Sequence, residues 1–206
     1  MQLATLRQNT NNIPIGEVQR KMTKRLLGAA ALWFAAVSAA PAGEVAGVKM
    51  ENTTTVEGRT LQLNGMGLRK KVIFKVYVAG LYLQSRSKEA SIIISSEQIK
   101  SIRLHILRNL SGSELAAAIS DAFWMNVTSP RSAFEGRLQK LTAMFSSVVV
   151  GDVITLTYVP VKGTMFTAKG QQKGVIEGKD FADALFAVWL GDNPVQADLK
   201  KALLGN

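Results

Sequence analysis

Residues 63–83 read LNGMGLRKKVIFKVYVAGLYL, and this stretch decides the fold class. From Leu68 to Leu83 it is a long run of Val, Ile, Phe and Tyr. Lys71 and Lys75 fall on one parity while Val72, Phe74, Val76 and Val78 fall on the other. Period two of this kind predicts a strand with one covered face, at least as far as Gly80. Just before it, Asn64-Gly65-Met66-Gly67 is expected to punctuate the chain, because paired glycines mark breaks between periodic segments. Upstream, Val48 to Leu63 alternates Thr and Val with polar residues around Gly58, which predicts a hairpin turning there.

Downstream, Ser87 to Ile94 is expected to form a short helix and Ser101 to Leu107 a strand. Ser111-Gly112-Ser113-Glu114 has the form of a capping box, so a helix should start at Ser111 and run towards Asn126. Leu115, Ala118, Ile119 and Ala122 share one face of it. A second helix is expected from Pro130 to about Phe145, with Phe134, Leu138, Leu141 and Phe145 aligned. After Gly151-Asp152 the period returns to two, predicting strands over 153–159, 163–168 and 171–176. Asp180 should open a helix that stops at Gly191, and a last short helix is expected around 197–203. Strands flanking a helical pair, with more helix at the end, make an α+β domain: an antiparallel sheet backed by helices.

The N-terminal part reads differently. Lys21, Lys24 and Arg25 precede an apolar run from Leu26 to Val37 and a small-residue site at Ala40-Pro41-Ala42, the order of an export signal. The run spans about 12 residues, short of the roughly 20 a membrane-spanning helix needs, so a soluble exported product is expected, most simply periplasmic. Residues 1–42 form this export region and 43–206 the folded domain. Residues 1–21 precede Met22, which can itself begin a signal of ordinary length, so either the chain starts at Met22 or the basic segment is unusually long.

The whole chain carries a net charge of +10, and residues 43–206 keep 20 basic and 14 acidic residues, or +6. These charges are scattered apart from Arg69-Lys70-Lys71 and Lys200-Lys201, with no aromatic-interleaved basic stripe, so no nucleic-acid partner is expected. A solvated basic surface able to meet anionic lipid is the simpler reading. The chain has no cysteine and a single histidine, His105. That excludes disulfides and thiolate metal sites, and leaves no set for a histidine metal centre or a Ser-His-Asp triad. No Gly-rich phosphate loop is present, since Gly65-Met66-Gly67 lacks a third glycine and a following helix. Neither a metal nor a cofactor is expected.

Two segments together carry a resemblance: LNGMGLRKKVIFKVYVAGLYL at 63–83 and VIEGKDFADALFAVWLGDNPVQADLKKALLG at 175–205. In this order, with Leu110-Ser111-Gly112 and GDVITLTYVP between them, the chain resembles the chalcone isomerase-like proteins, in particular their short exported bacterial branch. The resemblance implies an open-faced β-sandwich, a curved antiparallel sheet with helices on one face and an apolar cleft between. It implies one of two activities: cyclisation of a chalcone to a flavanone, as in the plant enzymes, or fatty-acid binding without catalysis.

The family's functional positions map onto five residues here. Its cleft arginine follows G-x-G-[V/L], which places Arg69 after Gly65-Met66-Gly67-Leu68. A threonine of the enzymes, just before A-x-G-x-Y-L, matches Tyr77. A tyrosine and an asparagine on the helix after Ser-Gly match Leu115 and Ala122, and a hydroxyl residue late in the final long helix matches Val188. Arg69 is therefore kept while three polar contacts have become apolar. No catalytic residue is assigned on this pattern. The expected partner is a small amphiphile such as a fatty acid, held by Arg69, Tyr77, Leu115, Ala122 and Val188. The alternative is an isomerase or intramolecular lyase with Arg69 as electrophile and Tyr77 as proton donor. Trp124 and Trp189 are expected as core anchors. The oligomeric state is left open.

Overall fold

In the computed structural model, residues 41–206 are described. The export-signal reading rests chiefly on residues 1–40, which lie outside the described residues. A seven-stranded antiparallel sheet runs in the order β3 (Thr53–Val56), β4 (Arg59–Lys71), β5 (Phe74–Leu83), β6 (Lys100–Ile106), β7 (Val153–Val159), β8 (Gly163–Ala168) and β9 (Gln171–Ile176). The separate pair β1 (Pro41–Val45) and β2 (Val48–Glu51) precedes it. Helix α1 (Ala90–Ser95) joins β5 to β6, and α2 (Gly112–Trp124) with α3 (Glu135–Thr142) joins β6 to β7. Helices α4 (Lys179–Leu190) and α5 (Ala197–Leu203) end the chain. The expected α+β architecture, an open-faced sandwich of one curved sheet and a helical layer, is the one observed.

The quoted stretch folds differently from its simplest reading. It is not one strand but the end of β4 and all of β5, hinged at Val72-Ile73, with Lys71 opposite Phe74. The four residues 64–67 do not break the chain; they lie inside β4. A bulge between Leu63 and Gly65 accommodates the glycines within the strand, and the chain reversal comes at Val72, whose φ is +57°. One extra residue reverses the parity, so Leu61 and Leu63 face one side of the sheet while Gly65, Gly67 and Arg69 face the helices. Asn64, at the bulge, donates from Nδ2 to the carbonyls of Ser87 at 2.9 Å and Leu203 at 2.8 Å. It thereby ties α5 to the strand.

The main core lies between the sheet and the helices. Ala79, Leu81, Leu83, Ile102 and Leu104 meet Phe123, Phe181, Phe186 and Trp189 there. Helix α4 is buried around most of its circumference, as a helix central to a layer must be. A second, smaller core covers part of the other face: Val48 and Met50 of β2 pack with Leu61, Leu63, Val78 and Tyr82. The alternation of β5 therefore stops mattering beyond Gly80, where both faces are covered.

Helix α2 begins as its capping box demands. Ser111 Oγ accepts from the Glu114 N–H at 3.1 Å, and the Ser111 N–H donates to Glu114 Oε2 at 2.8 Å. The expected helix over 130–145 is shorter. Pro130 is extended, a 3-10 turn spans Arg131–Ala133, and Phe134 leaves helical geometry with φ −122°. Its ring packs on Phe123 with centroids 5.7 Å apart. Docking that ring takes precedence over a continuous helix.

A lysine is buried at the end of the sheet remote from Arg69. Lys100 Nζ donates to the carbonyls of Ile93 at 3.0 Å and Ser96 at 3.3 Å, and also to Ile94, all at the C-terminus of α1. Asp183 stands 3.4 Å away and is shared with Lys179, while Tyr158 and Glu97 complete its surroundings. Burial, partly offset by Asp183, pushes the Lys100 ammonium down to about 8. A lysine depressed in the folded state binds fewer protons there than in the unfolded chain, so stability rises with pH between the folded and unfolded values. Unfolding free energy should therefore climb from pH 8 towards 10, by on the order of 2 kcal/mol at most, and the melting temperature with it. Tyr158, raised mainly by burial, opposes this only above pH 10. Lys100→Met should abolish the climb; an unchanged slope would assign it elsewhere.

Candidate functional site

Arg69 on β4 and Tyr77 on β5 are directly opposite partners in the ladder. The bulge at Asn64 turns Arg69 towards the helical layer, the side that Tyr77 faces with Ala79 and Leu81 by the alternation of β5, and the two line a cleft of about 330 Å³. Its floor continues across the sheet through Leu104, Ile154 and Leu156, and α2 roofs it with Leu115, Ala118 and Ile119. Leu110, Phe145 and Val195 close the sides. The volume lies near the lower end of the roughly 300–1,000 Å³ of small-molecule sites, and the walls are apolar, as such sites are.

The polar end is built by two tertiary contacts. Trp189 Nε1–H donates to Tyr77 Oη at 3.1 Å. Burial raises the Tyr77 phenol above its ordinary value, against the opposing effects of Trp189 and Arg69. Tyr77 is therefore a neutral phenol at physiological pH and keeps its proton to donate. Arg69 is held by Gln196: Arg69 Nη1 donates to Gln196 Oε1 at 3.3 Å and to the Lys70 carbonyl. The same Gln196 oxygen accepts from the Lys70 N–H at 2.8 Å, and Gln196 Nε2 donates to the Leu68 carbonyl at 3.2 Å. Gln196 is the residue preceding α5, so the docking of that helix sets the pose of the arginine.

Of the five residues expected from the sequence, Arg69, Tyr77 and Leu115 line the cleft together. Ala122 and Val188 do not. Both are packed into the main core, where Ala122 is 7% exposed and Val188 is fully covered. Ala122 lies two turns along α2 from Leu115 with its side chain in the core, and Val188 belongs to the central α4. Trp189 is the core anchor expected and also orients Tyr77. Gln196 had no signal in the sequence beyond its place before a helix, because its partner is more than 120 residues away.

The mouth is charged. Lys71, Arg108, Glu114 and Asp121 line it. Ser111, through its N–H and hydroxyl, holds the Glu114 carboxyl below the usual range, helped by Arg108 and Lys71. No imidazole is among the residues lining the cleft, and neither carboxylate of the lining, Glu114 or Asp121, is hydrogen-bonded to Arg69 or Tyr77. His105 follows Leu104 on β6 and by parity points to the opposite face. No cluster able to hold a metal ion exists among the described residues. The arrangement presents a cation and a neutral hydroxyl at the head of an apolar slot.

Among solved structures, the chain is similar to a fatty-acid binding protein of Arabidopsis thaliana, with a TM-score of 0.62 and 17% identity over 77% of this chain and 92% of that one. At that identity the likeness speaks for the fold. No curated protein sequence matches. A family model described as chalcone isomerase-like matches residues 42–205. That span takes in β4 with its bulge and arginine, the capped α2 and the α4–α5 pair that orients Tyr77 and Arg69, and with it the chain belongs to the chalcone isomerase-like family.

Proposed function

We propose that this chain is a non-catalytic binder of an apolar anion, a fatty acid or similar amphiphile, held with its carboxylate at Arg69 and Tyr77. One observation carries the reading: a guanidinium and a protonated phenol meet in a cleft whose walls, apart from its charged mouth, are aliphatic and aromatic. Guanidinium stays charged and offers parallel N–H donors that match a carboxylate, and the phenol adds a third donor. The tail then gains about 0.8 kcal/mol for each methylene removed from water along Leu104, Leu115, Ile119 and Leu156. The fatty-acid binding Arabidopsis thaliana structure, built on the same fold, supports this choice of ligand.

Catalysis finds little to work with. A cyclisation needs positioned donors and a proton acceptor whose pKa suits neutral pH. At the positions where the family's enzymes place tyrosine and asparagine, this chain has Leu115 and Ala122, and the second is not in the cleft. Export, read from the basic, apolar and small-residue order of residues 21–42, completes the proposal: the binder works outside the cytoplasm.

Native mass spectrometry of protein purified without detergent tests the reading directly. The expected result is a co-purified acid, or saturable binding of added medium-chain fatty acid. A protein that arrives empty and binds none, or one that turns over chalcone with loss of its yellow absorbance, would sink it.

A further inference from the structure

The turn between β4 and β5 is unusual for a folded surface. Val72 is 88% exposed, Ile73 80% and Phe74 57%. Val72 also has φ +57°, a conformation that β-branched residues avoid. Neither burial nor turn chemistry therefore accounts for apolar residues here. A second apolar pair, Val149 and Val150, is 52% and 61% exposed in the loop before β7.

The ladder brings these two sites to one end of the sheet. Leu107 N–H donates to the Val76 carbonyl, and Gly151 N–H donates to that of Ile106, so the start of β5, the end of β6 and the start of β7 are level. Two strand spacings of about 4.8 Å separate the apolar groups. Arg108 stands between, its guanidinium 5.3 Å from the Phe74 ring centroid, and Val150 N–H bonds Asn109. The other exposed large apolar residues, Ile92, Met125 and Val161, belong to other parts of the chain.

Cations surround this apolar end. Arg69, Lys70, Lys71, Lys75, Arg108 and Lys169 outnumber the carboxylates there, Glu114, Asp121 and Asp152, of which Asp152 is paired with Lys169. Apolar side chains projecting from a ring of lysine and arginine are complementary to an anionic bilayer: the tip enters the acyl boundary while the ammonium groups remain at the phosphates. We infer that the end of the sheet formed by residues 70–75, Arg108 and residues 149–150 docks on an anionic lipid membrane. Lys71, Val76 and Arg108 also line the cleft, so docking sets the mouth of the cleft against the lipid. The use of that placement, exchange of an amphiphile with the bilayer, rests on the function proposed above; the docking itself does not.

Flotation with vesicles of phosphatidylcholine alone, or mixed with phosphatidylglycerol, tests the surface. The full chain is compared with its own tip variants, so the N-terminal region contributes equally throughout. Wild type should float with the anionic vesicles at low salt and largely release at high salt. Ile73→Asp should lower partitioning about tenfold or more, and Lys70→Gln roughly fivefold. Val72→Gly should bind more weakly while melting at a higher temperature, since glycine accepts the positive φ; a better-folded but poorer binder cannot be explained by unfolding. Displacement of a fluorescent fatty acid in vesicle-free solution should be unchanged in Ile73→Asp. Wild type that ignores anionic vesicles, or Ile73→Asp that floats as wild type does, overturns docking. So does loss of both vesicle and fatty-acid binding in Ile73→Asp, or a tip that instead pairs two copies of the chain in light scattering. A protein that floats as expected but binds no fatty acid upholds docking and refutes the proposed ligand.

Discussion

Replacing Gly65 by alanine is expected to cost about 3 kcal/mol or more, lowering the melting temperature by roughly 6–12 °C. A methyl group at this position would overlap the carbonyl oxygen of Ala202 and come within 2.7 Å of that of Leu203. Both are backbone atoms at the end of α5, so no side-chain rotation relieves the clash. Either β4 or α5 must move. Because Gln196 just before α5 orients Arg69, the same change should weaken acid binding in whatever protein remains folded. Gly136 in α3 is the control. Its added methyl would meet nothing within 4 Å, so Gly136→Ala should stabilise by about 0.5–1 kcal/mol, the ordinary helical preference. Thermal melts of the two variants side by side decide the matter: equal effects would mean that close approach of α5 is not what position 65 requires.

Arg69→Gln should reduce affinity for a fatty acid by about 10- to 100-fold while leaving the matching alcohol within a few-fold of wild type. Hydrogen bonds to charged groups are worth about 1.5–3 kcal/mol, and glutamine loses both the charge and the planar fork. The alcohol has no charge to lose and keeps the apolar wall. Titration of both ligands into wild type and variant reads the difference. Equal losses would reduce Arg69 to a packing residue, and no loss would place the carboxylate elsewhere. Gln196→Ala should give a smaller loss in the same direction, because it frees the guanidinium without removing it.

Much of the fold is legible in local pattern. The three strands after Gly151 fall on the residues their alternation names, and the last two helices start and stop near their signals. The Ser111–Glu114 box forms both of its reciprocal bonds. Such features are decided by residues a few positions apart. The stretch at 63–83 was harder for a physical reason. Val72-Ile73-Phe74 continues an apolar run without a turn residue, and Gly65 and Gly67 look like breaks until the helix that needs them is in place.

The candidate site divides in the same way. Arg69 and Tyr77 were legible only through the resemblance, by the glycines before the one and the A-x-G-x-Y-L segment after the other; that they are opposite partners was not, because the turn at Val72-Ile73 that pairs them carries no turn residue. Leu115 followed from its position in the first turns of a capped helix. Ala122 and Val188, carried over from the resemblance, lie in the core beside Phe123, Phe181 and Trp189 and not among the residues that line the cleft. Sequence alone, through periodicity and caps, determined an antiparallel sheet backed by helices and, through the lack of cysteine, a domain without disulfides; the resemblance of the segment around Gly65-Met66-Gly67 singled out Arg69. Only the tertiary structure decided which face that arginine takes, which distant residue holds it, and which apolar end stays in water. Those depend on one bulged residue and on contacts between segments more than a hundred residues apart, which no local pattern records.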